Sequence, residues 1–433
     1  MQSRRRVLVI AEAANPEWVS VPLVGWSIAN ALRSIADVHI VTQVRNREAM
    51  LRVGLIEGQD FTAIDTEALM RPLWSVISFL RGSANKGWTI VTALRSIFYP
   101  VFEWLVWRRF RHEIRAGRFD VVHRLTPLSL TAPSLLASRC VRAGVPFVVG
   151  PLNGGVPWPE GFEKERREEG ERLSFVRPVY KLLPGIGSTW RNSAAIIVAS
   201  RTTRSEIPES AQAKTVFIPE NAVDLRRFAV PAASGRYDKL KLCFIGRLVP
   251  CKGLDIALNA AQDLLRAERA HFTIIGDGPL MQPLRAQANR LGIAEAVQFA
   301  GWVPHADIPS LAGQSNVFLF PSVREFGGGA VIEAMALGLV PIVVDYGGPG
   351  EIVTNNTGFR LSLGSRRSLV TDAAVLLNDI ADGRHDLAKL AASGLERVRA
   401  LYTWEKKAVQ LSQVYDWVRG ERPNRPEFPF LQA

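Results

Sequence analysis

Short apolar runs rich in β-branched residues recur along the chain, each followed by a turn signal and a stretch of helical periodicity. The clearest are Val7–Ala11, Val38–Val41, Val121–His123, Phe147–Val149, Ala195–Ala199, Lys241–Ile245, Phe272–Ile275, Val317–Phe320 and Pro341–Val344. Brief runs that are apolar on both faces read as strands of a parallel sheet covered by helices on each side. Their alternation with helical segments predicts repeated βαβ units. Nine such strands exceed what one compact sheet normally needs, so the pattern predicts two doubly wound α/β domains, residues 1–205 and 206–410. The most linker-like stretch is Pro231–Asp238, which places the boundary between about residues 205 and 240. The last clear helical pattern runs from Trp404 to Trp417.

Hydropathy also excludes some architectures. Arg4-Arg5-Arg6 precedes the first apolar run, but Glu12 cuts that run short of a signal-peptide core, so it reads as a buried strand. No stretch of about 18 uncharged apolar residues occurs, as a spanning helix would need. The nearest candidate, Ile97 to Trp107, is short and interrupted by Pro100 and Glu103.

Composition adds a charge to be explained. The 433 residues are 47% hydrophobic and 22% charged, an ordinary globular balance, with a formal net charge of +12. Cys140, Cys243 and Cys251 show no Cys-x-x-Cys spacing, which argues against a disulfide scaffold or zinc ribbon and for a reducing cytoplasm. The excess positive charge implies nucleic acid, an anionic membrane face or a phosphorylated substrate. Much of it lies between Arg71 and Arg118, where nine Lys or Arg face only Glu103 and Glu113. Interleaved with them are Trp74, Phe79, Trp88, Phe98, Tyr99, Phe102, Trp104, Trp107 and Phe110. Aromatics beside cations on amphipathic helices suit a lipid headgroup boundary. A core of aromatics under a solvated arginine face fits equally well, and both readings stand. No nucleic-acid-binding module is present, which makes nucleic acid the weakest of the three partners.

Candidate chemistry concentrates in the second half. From Pro321 the chain reads through Glu325-Phe326-Gly327-Gly328-Gly329 to Glu333 and Gly338. A strand runs into a glycine triplet and then an apolar helix. The glycines let backbone approach a ligand, and the helix start offers free N–H groups to an anion. Glu325 and Glu333 then touch different parts of one extended ligand, and carboxylates match vicinal hydroxyls such as those of a hexose or ribose. After an earlier strand, Gly246-Arg247 and Lys252-Gly253 place two cations where open α/β sheets bind ligands. Arg as a fork and Lys as a point charge suit a diphosphate. Gly276-Asp277-Gly278-Pro279 imitates a dinucleotide fingerprint but has Met281 in place of the third glycine.

In this order, the three elements resemble the family-4 retaining glycosyltransferases of the GT-B fold. The resemblance extends through Ile218–Asp224, Val297–Gly301, the Glu-x7-Glu pair Glu325/Glu333, Gly347-Gly348 with Glu351, Gly358 and Tyr402-Thr403-Trp404. It implies two Rossmann-like domains facing across a cleft, the first binding the acceptor and the second the nucleotide sugar, with a C-terminal helix at 411–433 packing back on the first. It implies that Arg247 and Lys252 hold the donor diphosphate and that Glu325, with the backbone of Phe326, Gly327 and Gly328, binds the transferred sugar. Glu333 would grip the ribose, and Trp302-Val303-Pro304 would line the base, with Gly246 and Gly276 at the donor.

The first half matches more loosely. Asp120-Val121-Val122-His123 is similar to the family's strand ending in a histidine near the acceptor cleft, which makes His123 a catalytic candidate. The histidine that family members often carry on the next strand is absent. Gly150-Pro151-Leu152-Asn153-Gly154-Gly155 stands there instead, and Trp18–Trp26, with Ser20, replaces the usual glycine pair after the first strand. These ordered, glycine-rich replacements suggest a subgroup with its own acceptor pocket, built with Ser20, Asn153, Gly154 and Gly155.

The implied activity is hexose transfer from a UDP- or GDP-sugar to a glycan or lipid-linked acceptor in cell-envelope or exopolysaccharide biosynthesis. The enzyme would be cytoplasmic, or peripheral on the inner membrane face through residues 71–118. No Asp-x-Asp or His-Glu-x-x-His occurs, so no metal site or cofactor is expected. Retention would follow front-face attack, since Glu325, the carboxylate nearest to a nucleophile role, is assigned to hydroxyl binding. Cys251 beside the pocket is read as incidental. The rival readings are a nucleotide-sugar epimerase of the same architecture and a non-catalytic sugar-nucleotide or membrane-binding module.

Overall fold

The computed structural model describes residues 4–66, 88–169, 184–228 and 239–431, with the backbone alone for 88–98. The linker-like Pro231–Asp238 and, within the aromatic–cationic block, Arg71 to Lys86 lie outside the described residues, as do the side chains of Trp88, Arg95 and Phe98. The chain divides into two compact units. Unit 1 comprises residues 1–155, 170–220 and 404–428, and unit 2 comprises 156–169, 221–403 and 429–433.

Unit 1 is built on seven strands: β1 (Arg6–Ala11), β2 (Asp37–Gln43), β3 (Phe61–Ile64), β4 (Val121–Thr126), β5 (Phe147–Leu152), β6 (Ala195–Val198) and β7 (Thr215–Phe217). They lie in the order β3-β2-β1-β4-β5-β6-β7, every neighbouring pair parallel. Because β7 completes this sheet, the first sheet runs past residue 205. Unit 2 holds β8 (Leu240–Ile245), β9 (Ala270–Ile275), β10 (Val297–Gly301), β11 (Val317–Phe320), β12 (Val340–Val344) and β13 (Phe359–Leu361). Their order is β10-β9-β8-β11-β12-β13, again all parallel. Both sheets reverse direction of winding beside their first strand, β1 in unit 1 and β8 in unit 2. The expected α/β class of two doubly wound, Rossmann-like parallel sheets is the observed one.

All nine expected strands are present. The four that hydropathy did not reveal as strands, β3, β7, β10 and β13, are the edges of the two sheets. An edge strand need not be buried on both faces and so lacks the continuous apolar run. In β10 only Val297 is buried, whereas all four residues of β11 are.

The helix Trp88–Arg115 separates the two readings of the aromatic block over its described part. Tyr99, Phe102, Val106, Phe110 and Ile114, spaced three or four residues apart, are buried in the core beside β1, β4 and β5. Each such burial stabilises by roughly 1.5–3 kcal/mol. Trp104 faces outward at 41% exposure, and Arg108, Arg109, Arg111 and Arg115 are exposed. The Arg108 guanidinium lies 4.9 Å from the Trp104 ring centroid, and those of Arg115 and Arg139 each 5.3 Å from that of Trp107. One face of the helix is thus core and the other a cationic aromatic surface. No helix among the described residues is long and apolar enough to cross a membrane.

Glu103, fully buried on the core face of this helix, explains why its apolar run is interrupted. One carboxylate oxygen accepts the Ser134 hydroxyl at 2.6 Å and the other the Leu136 N–H at 3.1 Å, capping the start of the helix Leu135–Arg142. Burial pushes its pKa up, and the neighbouring Arg124 cation pulls it back. Arg124 is itself fully buried and donates to the Ala132 carbonyl at 2.7 Å. Removing the carboxylate leaves the Ser134 hydroxyl and the Leu136 N–H without their acceptor and the buried Arg124 without this counter-charge, so Glu103→Ala is expected to destabilise the protein by about 3–5 kcal/mol. Glu103→Gln, which keeps an acceptor at the cap, should cost less. Urea unfolding of both variants measures the difference, and equal losses would show that the charge alone matters and the cap adds nothing.

Candidate functional site

In unit 2 the candidate residues sit on loops at the carboxyl ends of β8, β9, β10 and β11, and in the case of Glu333 on the helix Gly329–Ala336. Open parallel sheets bind ligands at this edge because the strand ends and helix starts present free backbone groups there. β8 and β11 are neighbours, with Val317 opposite Leu242 and Phe318 opposite Cys243. Their loops are then stitched together. The Val323 N–H and the Ser322 hydroxyl both donate to the Cys251 carbonyl, at 2.9 and 3.1 Å. This stitching delivers Lys252, at the end of the turn Pro250–Lys252, to Glu325, and the two form a half-buried ion pair. The Lys252 ammonium also lies 5.1 Å from the centroid of the Phe320 ring. Burial lowers the Lys252 pKa from its ordinary value, and the nearby Arg247 charge works in the same direction.

Arg247 is exposed and makes no hydrogen bond or ion pair among the described residues. Gly246, just before it, packs against the end of the next strand. Its carbonyl oxygen would lie 1.9 Å from a Cβ on Gly276, so residue 276 must be glycine for the ends of β8 and β9 to close up. Gly328, with φ +60° and the Ile352 side chain 2.7 Å from any added Cβ, turns the chain into the helix Gly329–Ala336. Glu325 is held from its other side as well, its carbonyl accepting the Gly348 N–H at 3.1 Å. Phe326 lies under the Arg324 guanidinium, which also covers Trp158 and donates to the Val156 carbonyl at 3.0 Å.

Glu333 is the polar member of the second turn of the same helix. Its Oε1 is 2.8 Å from Nε2 of His305, on the loop after β10 that also carries Trp302 and the half-buried Val303. Trp302, on the same loop, is 74% exposed. The sequence carried no signal for His305, because its partner lies 28 residues away. Cys251 and Cys243 are buried, and burial pushes both thiols up to about 12, which leaves them protonated and poor nucleophiles.

Of the unit 1 candidates, Asn153, Gly154 and Gly155 follow the carboxyl end of β5 and Ser20 precedes the helix Val21–Leu32, whereas the expected strand does not end at His123 but runs on to Thr126, which leaves the histidine inside β4. His123 is fully buried in β4. Its Nε2 donates to the Gly150 carbonyl at 2.8 Å, so Nδ1 is bare and accepts the Tyr415 hydroxyl at 2.6 Å. Both nitrogens are thereby engaged, tying β4 to β5 and to the helix Trp404–Val418. Asn153 is equally committed: its amide donates to Glu220, and its oxygen accepts the Gly154 N–H at 2.7 Å. Thr203 donates to the Gly154 carbonyl at 2.8 Å, so the Gly150–Gly155 segment is braced on several sides. Ser20, exposed with φ +64°, starts the helix Val21–Leu32 by accepting the Val24 N–H at 3.1 Å. The buried Glu220, within the Ile218–Asp224 stretch of the resemblance, and the buried Lys407, which no motif had marked, belong to this bracing. Lys407 donates to the Pro219 carbonyl, and burial pushes its pKa down to about 7.

These two doubly wound units define the fold class, and comparison with solved structures agrees. The Anabaena protein HepE, solved in complex with UDP, superposes with a TM-score of 0.61 over 94% of this chain and 98% of its own, at 15% identity. That likeness concerns the fold, which is the GT-B fold of glycosyltransferases. More particularly, residues 229–392, the stretch that carries Arg247, Lys252, Glu325 and Glu333, match the family model of glycosyl transferases group 1. Among curated relatives, a glycogen synthase of Mycobacterium tuberculosis is 28% identical over 56% of this chain and 59% of its own length. A GDP-mannose-dependent alpha-(1-6)-phosphatidylinositol monomannoside mannosyltransferase of the same organism is 32% identical over 41% of this chain and 46% of its own. The chain thus spans about half the length of the curated relatives it matches.

The buried His123 makes stability depend on pH. Burial pushes its pKa down to about 4 from the ordinary 6.5. Between those values the unfolded chain takes up a proton that the folded ring refuses, so stability present above pH 6.5 is lost as pH falls toward 4. The loss approaches about 3 kcal/mol at full development. His123→Gln should flatten this limb of the urea-midpoint profile, and parallel profiles for variant and wild type would refute the assignment.

Proposed function

We propose that this chain is a retaining glycosyltransferase that moves a hexose-type sugar from a nucleoside-diphosphate donor to a glycan or lipid-linked acceptor, in the building of a cell-envelope or exported polysaccharide. The observation that carries the reading is the meeting of Lys252 and Glu325 beside an unengaged Arg247, at the carboxyl edge of the unit 2 sheet and next to the glycine-led helix Gly329–Ala336. The match to glycosyl transferases group 1 over this stretch and the UDP bound by the Anabaena structure support it.

In the proposed mechanism the donor diphosphate lies against Arg247, Lys252 and the N–H groups that open the helix. Glu325 and the backbone at Phe326–Gly328 accept and donate to the sugar hydroxyls, and Glu333 takes the ribose. The bond from the anomeric carbon to the phosphate oxygen breaks as the acceptor hydroxyl closes on the same face. The hydroxyl proton passes to the departing phosphate oxygen, and configuration is retained. The charge that develops on the phosphate is met by the two cations, with no metal or cofactor. His123, Asn153 and the buried Gly155 are assigned to holding the acceptor-side architecture, with Gly154 and Ser20 nearer its surface.

The exposed face of the helix Trp88–Arg115, with Trp104, Arg108, Arg111 and Arg115, supports docking on an anionic membrane surface, which would present the site to a lipid-linked acceptor as a peripheral cytoplasmic enzyme.

Purified full-length protein with EDTA and a panel of UDP- and GDP-hexoses is expected to hydrolyse or transfer from at least one donor. Arg247→Ala should lower turnover about 10²–10³-fold. Full turnover in that variant would sink the donor-site assignment, and isomerised donor formed without acceptor would instead mark an epimerase. For the membrane, flotation with anionic vesicles should be salt-sensitive. Replacing Arg108, Arg111 and Arg115 together by Gln should weaken it by about 3 kcal/mol, near one per cation. Binding that ignores both salt and substitution returns these residues to an ordinary solvated face.

A further inference from the structure

We propose that His305 is a positioning residue that fixes the Glu333 carboxylate for the ribose hydroxyls of a nucleoside diphosphate, an inference that rests on the donor-site reading above. The protonation of the imidazole follows from its neighbours. Arg227 reaches Nδ1 at 3.0 Å through a guanidinium nitrogen, and a guanidinium only donates, so Nδ1 is the acceptor. The ring proton therefore sits on Nε2, which donates to Oε1 of Glu333 at 2.8 Å. The buried Phe228 ring stands 5.5 Å from the imidazole centroid, inclined at 55°, and limits its rotation. Three side chains, two of them neighbours in the chain and the third on the helix Gly329–Ala336, thus determine one tautomer and one ring orientation.

The consequence falls on Glu333. A carboxylate on a helix swings about its side-chain torsions, and each torsion ordered on binding weakens the complex. With Oε1 held by His305, that swing is already restricted, and Oε2, which has no hydrogen-bond partner among the described residues, is left to accept a hydroxyl. The arrangement also discriminates. A nucleotide with a ribose diol satisfies the carboxylate, whereas one lacking the hydroxyls leaves a half-buried charge without its partner. His305 touches no reacting atom in this scheme and acts through Glu333.

The test compares binding of UDP and GDP with their 2′,3′-dideoxy counterparts, by calorimetry on the full chain. Wild type, His305→Ala, His305→Gln and Glu333→Gln are compared after thermal melts confirm folding. Wild type should prefer the ribonucleotide about tenfold or more, the worth of one charge-assisted hydrogen bond. His305→Ala should reduce that preference about fivefold by weakening the ribonucleotide alone. His305→Gln, whose amide N–H₂ can replace the Nε2 donor, should restore most of it. Glu333→Gln should abolish it.

An unchanged preference in His305→Ala, while Glu333→Gln loses it, overturns the positioning role and leaves the donor site standing. Equal weakening of ribo- and dideoxynucleotides by His305→Ala also overturns it, since that is a general loss of the loop. Failure of folded wild type to bind any of the four nucleotides overturns the donor-site reading and this inference with it.

Discussion

The candidate site of unit 2 depends on two parallel strands, β8 and β11, lying side by side in a register that brings their loops to the same end of the sheet. Lys252 and Glu325 are 73 residues apart in the chain and meet because Ser322 and Val323 bond to the Cys251 carbonyl. Once the loops are stitched, the cation and the carboxylate partly offset each other's desolvation. Two half-buried charges would otherwise be unfavourable at this spot. The tight packing of Gly246 on Gly276 extends the same edge to β9, and the turn at Gly328 aims a helix start at it. Cations, carboxylate and helix dipole are therefore consequences of one topological fact.

Unit 1 uses buried polar groups differently. His123, Glu103, Arg124, Glu220 and Lys407 are all enclosed, and each is tied to backbone or to another side chain. An unpaired group in such surroundings costs more than its hydrogen bond returns, so these contacts specify where loops and helix ends lie. The segment Gly150–Gly155 is the clearest result. Its shape is held by Asn153, Glu220 and Thr203, and within it Gly154 alone is not buried. The histidine that a motif singles out as chemical is, in this arrangement, a strut.

Legibility followed burial. Nine central strands were readable because two-sided burial forces continuous apolar runs, and the edge strands β3, β7, β10 and β13 were not, since burial on one side imposes less. The placing of Arg247, Lys252, Glu325 and Glu333 at one edge of the unit 2 sheet was readable because glycines and charges stand at fixed offsets from strands. His305 was not, because nothing adjacent in the chain distinguishes it from any loop histidine. The aromatic block was half legible. Its composition called for both a core and a cationic surface, and helical spacing alone does not tell which face meets the sheet.

By itself, the amino-acid sequence determined the fold class, the two-sheet organisation and the residues of the unit 2 edge, because these follow from local patterns of apolarity and turn chemistry. Tertiary structure alone decided which charges meet and which are enclosed: Lys252 with Glu325, His305 with Glu333, His123 with Tyr415 and Gly150. Those pairings depend on strand order and loop closure, which bring together residues from 27 to 292 positions apart. Local sequence carries no information over that distance until the sheets have formed.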